Sequence, residues 1–255
     1  MITTLDGKFW GLDEILTFMS QDEFYYDYLG KNALSSSSVK KILESPLSYK
    51  MSLERKETNS AALDFGWLFH TSILEPHIYE KQYFVDARRN TNKFKDAKAE
   101  HGRVFTEFDR HNVERLAKAF YNNSRAVSML EHTQKEVPAI GELYGLPFRG
   151  KADILGDGYI VDLKTTSDVK NFKHSFWKYG YHCQAWIYCQ LFNVKPEDFW
   201  FVAVEKDTGT LGFYNVSEES YEAGGRQVQK ACSLYRDYFI DKEYELEDFV
   251  YESTL

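Results

Sequence analysis

Asp153, Asp162 and Lys164 carry the clearest chemical signal in the chain, within the segment Arg149 to Lys164. Between them, Asp157-Gly158 is a strong signal for a two-residue hairpin turn. With that turn Gly156 pairs with Tyr159, Ile154 faces Val161, Asp153 faces Asp162 and Lys151 faces Lys164. Side chains alternate along a strand, so Lys151, Asp153, Asp162 and Lys164 share one face, while Ile154 and Val161 take the other. Opposed positions set their Cβ atoms about 4.5 to 5.5 Å apart, and carboxylates that close repel unless a cation lies between them. Hard oxygen ligands of this kind suit Mg²⁺ or Mn²⁺, completed by water and a phosphate. Such an ion activates water and neutralises phosphoryl charge. Lys164 is placed to position that water or to stabilise the developing charge. The chemistry is phosphodiester hydrolysis. An arbitrary hairpin with this pattern is by default a solvated charged face, so the surroundings must decide.

The elements around the hairpin read as follows. Ser35 to Ser38 precede Val39, Ile42 and Leu43 at helical spacing, and Pro46 stops the run. A second, largely buried helix spans Ser60 to Leu74 and contains His70. Between Phe84 and Phe105 the chain turns basic and polar, which reads as a surface loop or arch (86–103) leading into a helix around Phe108 to Leu130. From Glu136 short β-type segments follow: Glu136 to Leu143, Pro147 to Leu155, Tyr159 to Leu163, Phe199 to Val204 and Gly212 to Val216. A helix spans Trp177 to Phe192, another Ser217 to Phe239, and an acidic tail runs from Asp241 to Glu252. Residues 1–33 are aromatic and acidic, a packed lead segment without a readable function.

The chain has 255 residues, 43% hydrophobic and 16% aromatic, enough for a sizeable core. No run of about 18 apolar residues and no signal-peptide layout occurs, so a soluble, intracellular protein without membrane contact is expected. Cys183, Cys189 and Cys232 lack metal-site or disulfide spacing. The net charge of -8 excludes binding of nucleic acid by bulk charge, so any such contact is local.

These residues resemble a known family. The hairpin with Asp153 and Asp162-Leu163-Lys164-Thr165-Thr166 is similar to the RecB-like nucleases of the PD-(D/E)XK superfamily, and most closely to the RecE-type exonucleases. Five stretches carry the likeness in order over roughly 34–216: Leu34-Ser35 with Ser37 and Ser45-Pro46; Ala62 to Gly66 followed by His70; Arg88-Arg89-Asn90-Thr91-Asn92; Glu136 ahead of Arg149, Lys151 and Asp153; and Tyr181 to Gln184 with Tyr188. Asp162 stands where many superfamily members carry Glu, and three cysteines do not make the four-cysteine iron–sulfur cluster found in some relatives, so none is expected.

The resemblance implies a single α/β nuclease domain over 1–255, with a helical part at 34–130 and a catalytic part at 131–255. Its core is a twisted, mixed, mostly antiparallel sheet flanked by helices. It implies metal ligation by His70, Asp153, Asp162 and the Leu163 carbonyl, with Mg²⁺ (or Mn²⁺) as cofactor. The catalytic set is Asp153, Asp162, Lys164, Glu136 and Gln184. Ser37, Arg88, Arg89, Arg149, Lys151, Tyr181 and Tyr188 would contact DNA. By residue type alone, His70 reads more readily as a satisfied core histidine, while Arg88 and Arg89 read equally as a solvated loop and the two tyrosines equally as packing. The implied reaction is 5′-to-3′ degradation of linear double-stranded DNA, leaving 3′ single strands for an annealing partner. A ring-shaped homo-oligomer in a phage or prophage recombination setting, acting in the bacterial cytoplasm, goes with it. The competing readings are an endonuclease or single-strand nuclease on the same core, and a catalytically idle DNA-binding module.

Overall fold

The computed structural model describes residues 1–54 and 60–251. The lead segment forms β1 (Ile2–Thr3), β2 (Phe9–Trp10), α1 (Leu12–Phe18), a π-helical turn at Glu23–Tyr28 and α2 (Leu29–Asn32). Its aromatic residues make a small core of their own, with Trp10 edge-on to Phe24 and Ile15, Met19 and Leu29 fully buried. Then come α3 (Ser36–Glu44), α4 (Pro46–Glu54), α5 (Ala61–Leu74) and α6 (Pro76–Tyr79). Serine caps start α3 and α5: the Ser35 hydroxyl accepts from the Ser38 N–H and the Ser60 hydroxyl from the Leu63 N–H.

The basic stretch departs from the expected loop. It folds as β3 (Tyr83–Val85), α7 (Asn92–His101) and β4 (Val104–Thr106), the two strands parallel. The Thr91 hydroxyl caps α7 by accepting from the Phe94 N–H, and Gly102, at φ 76, ends it. The helix hides from periodicity because Phe94 is its one buried residue. After α8 (Glu107–Tyr121) and α9 (Ser124–Ser128) come β5 (Gln134–Leu143), β6 (Leu146–Leu155) and β7 (Ile160–Thr166). The helix expected over Trp177 to Phe192 is instead two, α10 (Phe172–Lys178) and α11 (Tyr181–Phe192), because Gly180 takes φ 73 between them. Strands β8 (Phe199–Glu205) and β9 (Leu211–Asn215) and helix α12 (Glu218–Tyr235) complete the chain's main elements. The acidic tail is described as far as Tyr251; Glu252 lies outside the described residues.

The central sheet runs β5-β6-β7-β8-β9, antiparallel throughout except for the parallel pair β7 and β8. Alternation along β7 and β8 divides the core. Ile160, Phe199, Phe201 and Ala203 pack toward α3, α11 and α12, while Val161, Leu163, Val202 and Val204 pack toward α5 and α8. The sheet is therefore buried on both faces by helices, which accounts for the nearly unbroken apolar run in β8. Among the described residues no helix is long and apolar enough to cross a membrane.

Candidate active site

The hairpin has the register derived above near its turn: Ile154 pairs with Val161 and Leu155 with Ile160, and the Gly156 N–H donates to the Tyr159 carbonyl at 2.9 Å. The ladder then stops. Asp153 and Asp162 are not ladder partners, and Lys151 does not oppose Lys164: beyond Val161 the strand β7 diverges from β6, while β8 continues along its other edge. The backbone groups freed by this fork find other partners. The Leu163 N–H donates to Asp153 Oδ2 at 2.7 Å. Farther along, Leu34 takes the open edge of β6, donating to the Pro147 carbonyl and accepting from the Arg149 N–H, both at 2.8 Å. The fork lets groups from both helical layers reach the same two strands.

From α5, His70 sets its Nδ1 3.3 Å from Asp153 Oδ2. From β5, Glu136 stands across from Asp153, between the paired positions Lys135–Ile154 and Val137–Ala152. Glu136 has φ 52, a left-handed backbone rare for a residue with a side chain. That conformation costs about 1–3 kcal/mol and belongs to the class of strain that sites hold in place. Ligand atoms of His70, Glu136 and Asp153 all lie within 4.8 Å of one another. Asp162 lies outside this trio: Oδ1 accepts from Gln184 Nε2 of α11 at 2.6 Å, and Oδ2 is 2.5 Å from Lys164 Nζ. Lys164 Nζ also lies 4.8 Å from the centre of the Tyr181 ring.

Electrostatics divide these groups by role. His70 is still 25% exposed, yet protein surrounds it closely enough that burial, aided by the Lys164 charge, pulls its pKa down to about 4. It is a neutral imidazole, as a metal ligand must be. Burial, then the Asp153 carboxylate, push Glu136 up to about 8 against Lys151. Burial likewise raises Asp153 and Asp162, each to about 6, with Lys164 opposing. Burial would lower Lys164, but Asp162, Tyr181 and Asp153 outweigh it and hold it as a cation. Crowded carboxylates that resist ionisation beside a neutral imidazole fit a divalent cation, which would remove the repulsion.

A pH dependence follows. The folded protein binds protons on Glu136 more tightly than the unfolded chain, so without metal its contribution to stability falls as pH rises toward about 8. His70 acts oppositely, lowering stability as pH falls from its ordinary range toward about 4. Between pH 6.5 and 8 the carboxylate effect dominates, and a cation must displace the proton. The rise in melting temperature produced by Mg²⁺ or Mn²⁺ should therefore be larger at pH 8 than at pH 6. Equal shifts by differential scanning fluorimetry would remove Glu136 from the ligand set.

Of the residues expected to contact DNA, Ser37 and Arg88 are exposed. Arg149 is 9% exposed; its Nε donates to the Leu29 carbonyl at 3.2 Å and its guanidinium lies over Tyr25, so it serves the interior. Arg89 bridges Asp109 at 2.8 Å and buried Asp64 at 3.4 Å, which ties α5 to α8. Tyr188 is buried, its hydroxyl accepting from the Lys151 N–H, and Tyr181 stacks on Phe201. Lys151 points to the lead segment, 3.5 Å from Asp22 and over the rings of Tyr25 and Tyr26. Nothing in the spacing of residues 1–33 could announce that neighbourhood, because it is made by tertiary docking onto β6.

No curated protein matches the sequence. Among solved structures, a chain from Eubacterium rectale described as a proposed exonuclease superposes with a TM-score of 0.64 at 16% identity, covering 92% of this chain and 95% of that one. A phage-related exonuclease from Haemophilus somnus 129PT aligns at 14% identity over 83% and 96% of the two chains, with a TM-score of 0.37. The first likeness shows a shared fold. Residues 35–244 match the PDDEXK-like domain of unknown function (DUF3799), and the chain belongs to that family.

Proposed function

We propose that this PDDEXK-like protein is a Mg²⁺-dependent exonuclease that hydrolyses phosphodiester bonds of linear double-stranded DNA. The observation that carries the reading is the fork between β6 and β7, where His70, Glu136 and Asp153 form one group and Asp162, Lys164 and Gln184 a second beside it. His70, Glu136 and Asp153 would hold the cation, with Asp162 and the Leu163 carbonyl beside them. A divalent cation there supplies charge neutralisation at the phosphoryl oxygens and a more acidic water. Gln184 fixes one oxygen of Asp162, and Asp162 in turn fixes the Lys164 ammonium. Because Lys164 stays protonated, it stabilises developing negative charge or gives a proton to the leaving oxygen, and does not act as a base.

The RecE-like resemblance supports 5′-to-3′ polarity, a ring-shaped homo-oligomer and delivery of 3′ single strands to an annealing partner in recombination. The test is end-labelled linear duplex beside covalently closed circular DNA, with Mg²⁺ or EDTA. Linear duplex should be degraded with Mg²⁺ alone and the circle left intact. A nicked or linearised circle would replace the exonuclease with an endonuclease; untouched linear duplex would overturn the nuclease reading.

A further inference from the structure

We propose that Tyr26 and Lys151 form a nucleotide subsite beside the centre, in which the phenol ring stacks on a base of the strand being cut and the ammonium takes the neighbouring phosphate. The inference rests on the nuclease reading of the same site. Tyr26 is carried by the π-helical turn Glu23–Tyr28, outside the span matched by the family. Turns of this type inside helices concentrate at functional positions. Tyr26 is 56% exposed, while Tyr25 and Lys151 beside it are largely buried.

Its seat is built. Tyr25, 5% exposed, meets Tyr26 edge-on at 5.0 Å and is itself clamped by the Arg149 guanidinium at 4.4 Å. Lys151 Nζ lies 4.6 Å from the Tyr25 ring centre and 5.1 Å from that of Tyr26. The ammonium's carboxylate contact is Asp22 at 3.5 Å, whose side chain is 81% exposed. The Lys151 side chain is itself only 15% exposed, so the open side of its ammonium is the one Asp22 occupies, and a phosphate would take the place of that exposed carboxylate. An ammonium for the backbone next to an aromatic face for the base is the recurring arrangement for single strands, and every base offers a π-face. The subsite lies on the β5–β6 side of the fork, adjoining Glu136, whereas Lys164 and Tyr181 lie on the β7 side.

The test compares binding, not cleavage, of an oligo-dT and of an abasic oligomer of equal length, by fluorescence anisotropy with Ca²⁺ in place of Mg²⁺. Wild type should prefer oligo-dT, and Tyr26→Ala should lose about tenfold in affinity for oligo-dT alone, collapsing the preference. Tyr26→Phe should restore it, and Lys151→Gln should weaken both ligands and flatten the salt dependence. Tyr26→Ala with the wild-type preference overturns the subsite while leaving the nuclease reading intact. Wild type that binds neither ligand overturns both. Circular dichroism of each variant checks folding, which an exposed ring should not affect.

Discussion

Asp162→Asn should slow hydrolysis of linear duplex DNA about a thousand-fold and leave the protein folded. The asparagine carbonyl can still accept from Gln184 Nε2, the contact made at 2.6 Å by Oδ1. The amide nitrogen, however, would replace Oδ2, which stands 2.5 Å from Lys164 Nζ. Two donors then face each other, and the ammonium leaves its seat over Tyr181. Its side chain is 17% exposed, so it has a route to water. Losing a buried partner is destabilising, but the carboxylate lost is one whose ionisation burial already penalises. The net change in stability should therefore stay within about 2 kcal/mol. Release of end label with Mg²⁺ measures the rate, and urea unfolding the stability. Because Asp162 and Lys164 act as a unit, Lys164→Met should cost about as much, and the double variant little more than either. Near-wild-type cleavage by Asp162→Asn would remove this side of the fork from the mechanism.

How far the site was legible can be judged residue by residue. The turn at Asp157-Gly158 set the register of Ile154 and Val161, and period-two alternation put those two on one face, which the structure packs toward α5. What alternation could not supply is the place where pairing ends. The fork arises where β7 diverges from β6 while its other edge stays paired with β8 over its full length, a tertiary feature that no local pattern records. Hence Lys151, expected opposite Lys164, lies with Tyr25 and Tyr26 instead. His70 could be placed on a helix, but its approach to Asp153 depends on α5 packing across Val161 and Leu163. Two misses were local: Gly180 and Thr91 each carried the stop or cap signal that the structure uses. The basic loop failed for a different reason. Arg89 was read by its charge, whereas its carboxylate partners Asp64 and Asp109 come from two helices far apart in sequence.

A second large effect is expected far from the reacting groups, at Gly224 of α12. A Cβ at this position would lie 2.2 Å from the His182 carbonyl oxygen and 2.7 Å from its carbon, both backbone atoms of α11. At Gly225 the obstacle is the Trp186 indole at 2.6 Å, a side chain that can rotate. Alanine favours a helix interior over glycine by about 1 kcal/mol, so propensity alone predicts that both substitutions stabilise. Overpacking opposes this by about 1–3 kcal/mol, and against backbone the upper end applies because only the parting of two helices relieves the contact. Gly224→Ala should therefore lose about 2 kcal/mol net in urea unfolding, more than Gly225→Ala. The loss should also reach the centre. Helix α11 carries Gln184 and Tyr181, which hold Asp162 and Lys164, so displacing it moves the charges that must face the phosphodiester. Misplacement of about 1 Å can cost a hundred-fold in rate; Gly224→Ala should accordingly cut slowly even at temperatures where it remains folded. A wild-type unfolding midpoint for Gly224→Ala would mean that the close approach of α11 and α12 does not set the position of Gln184.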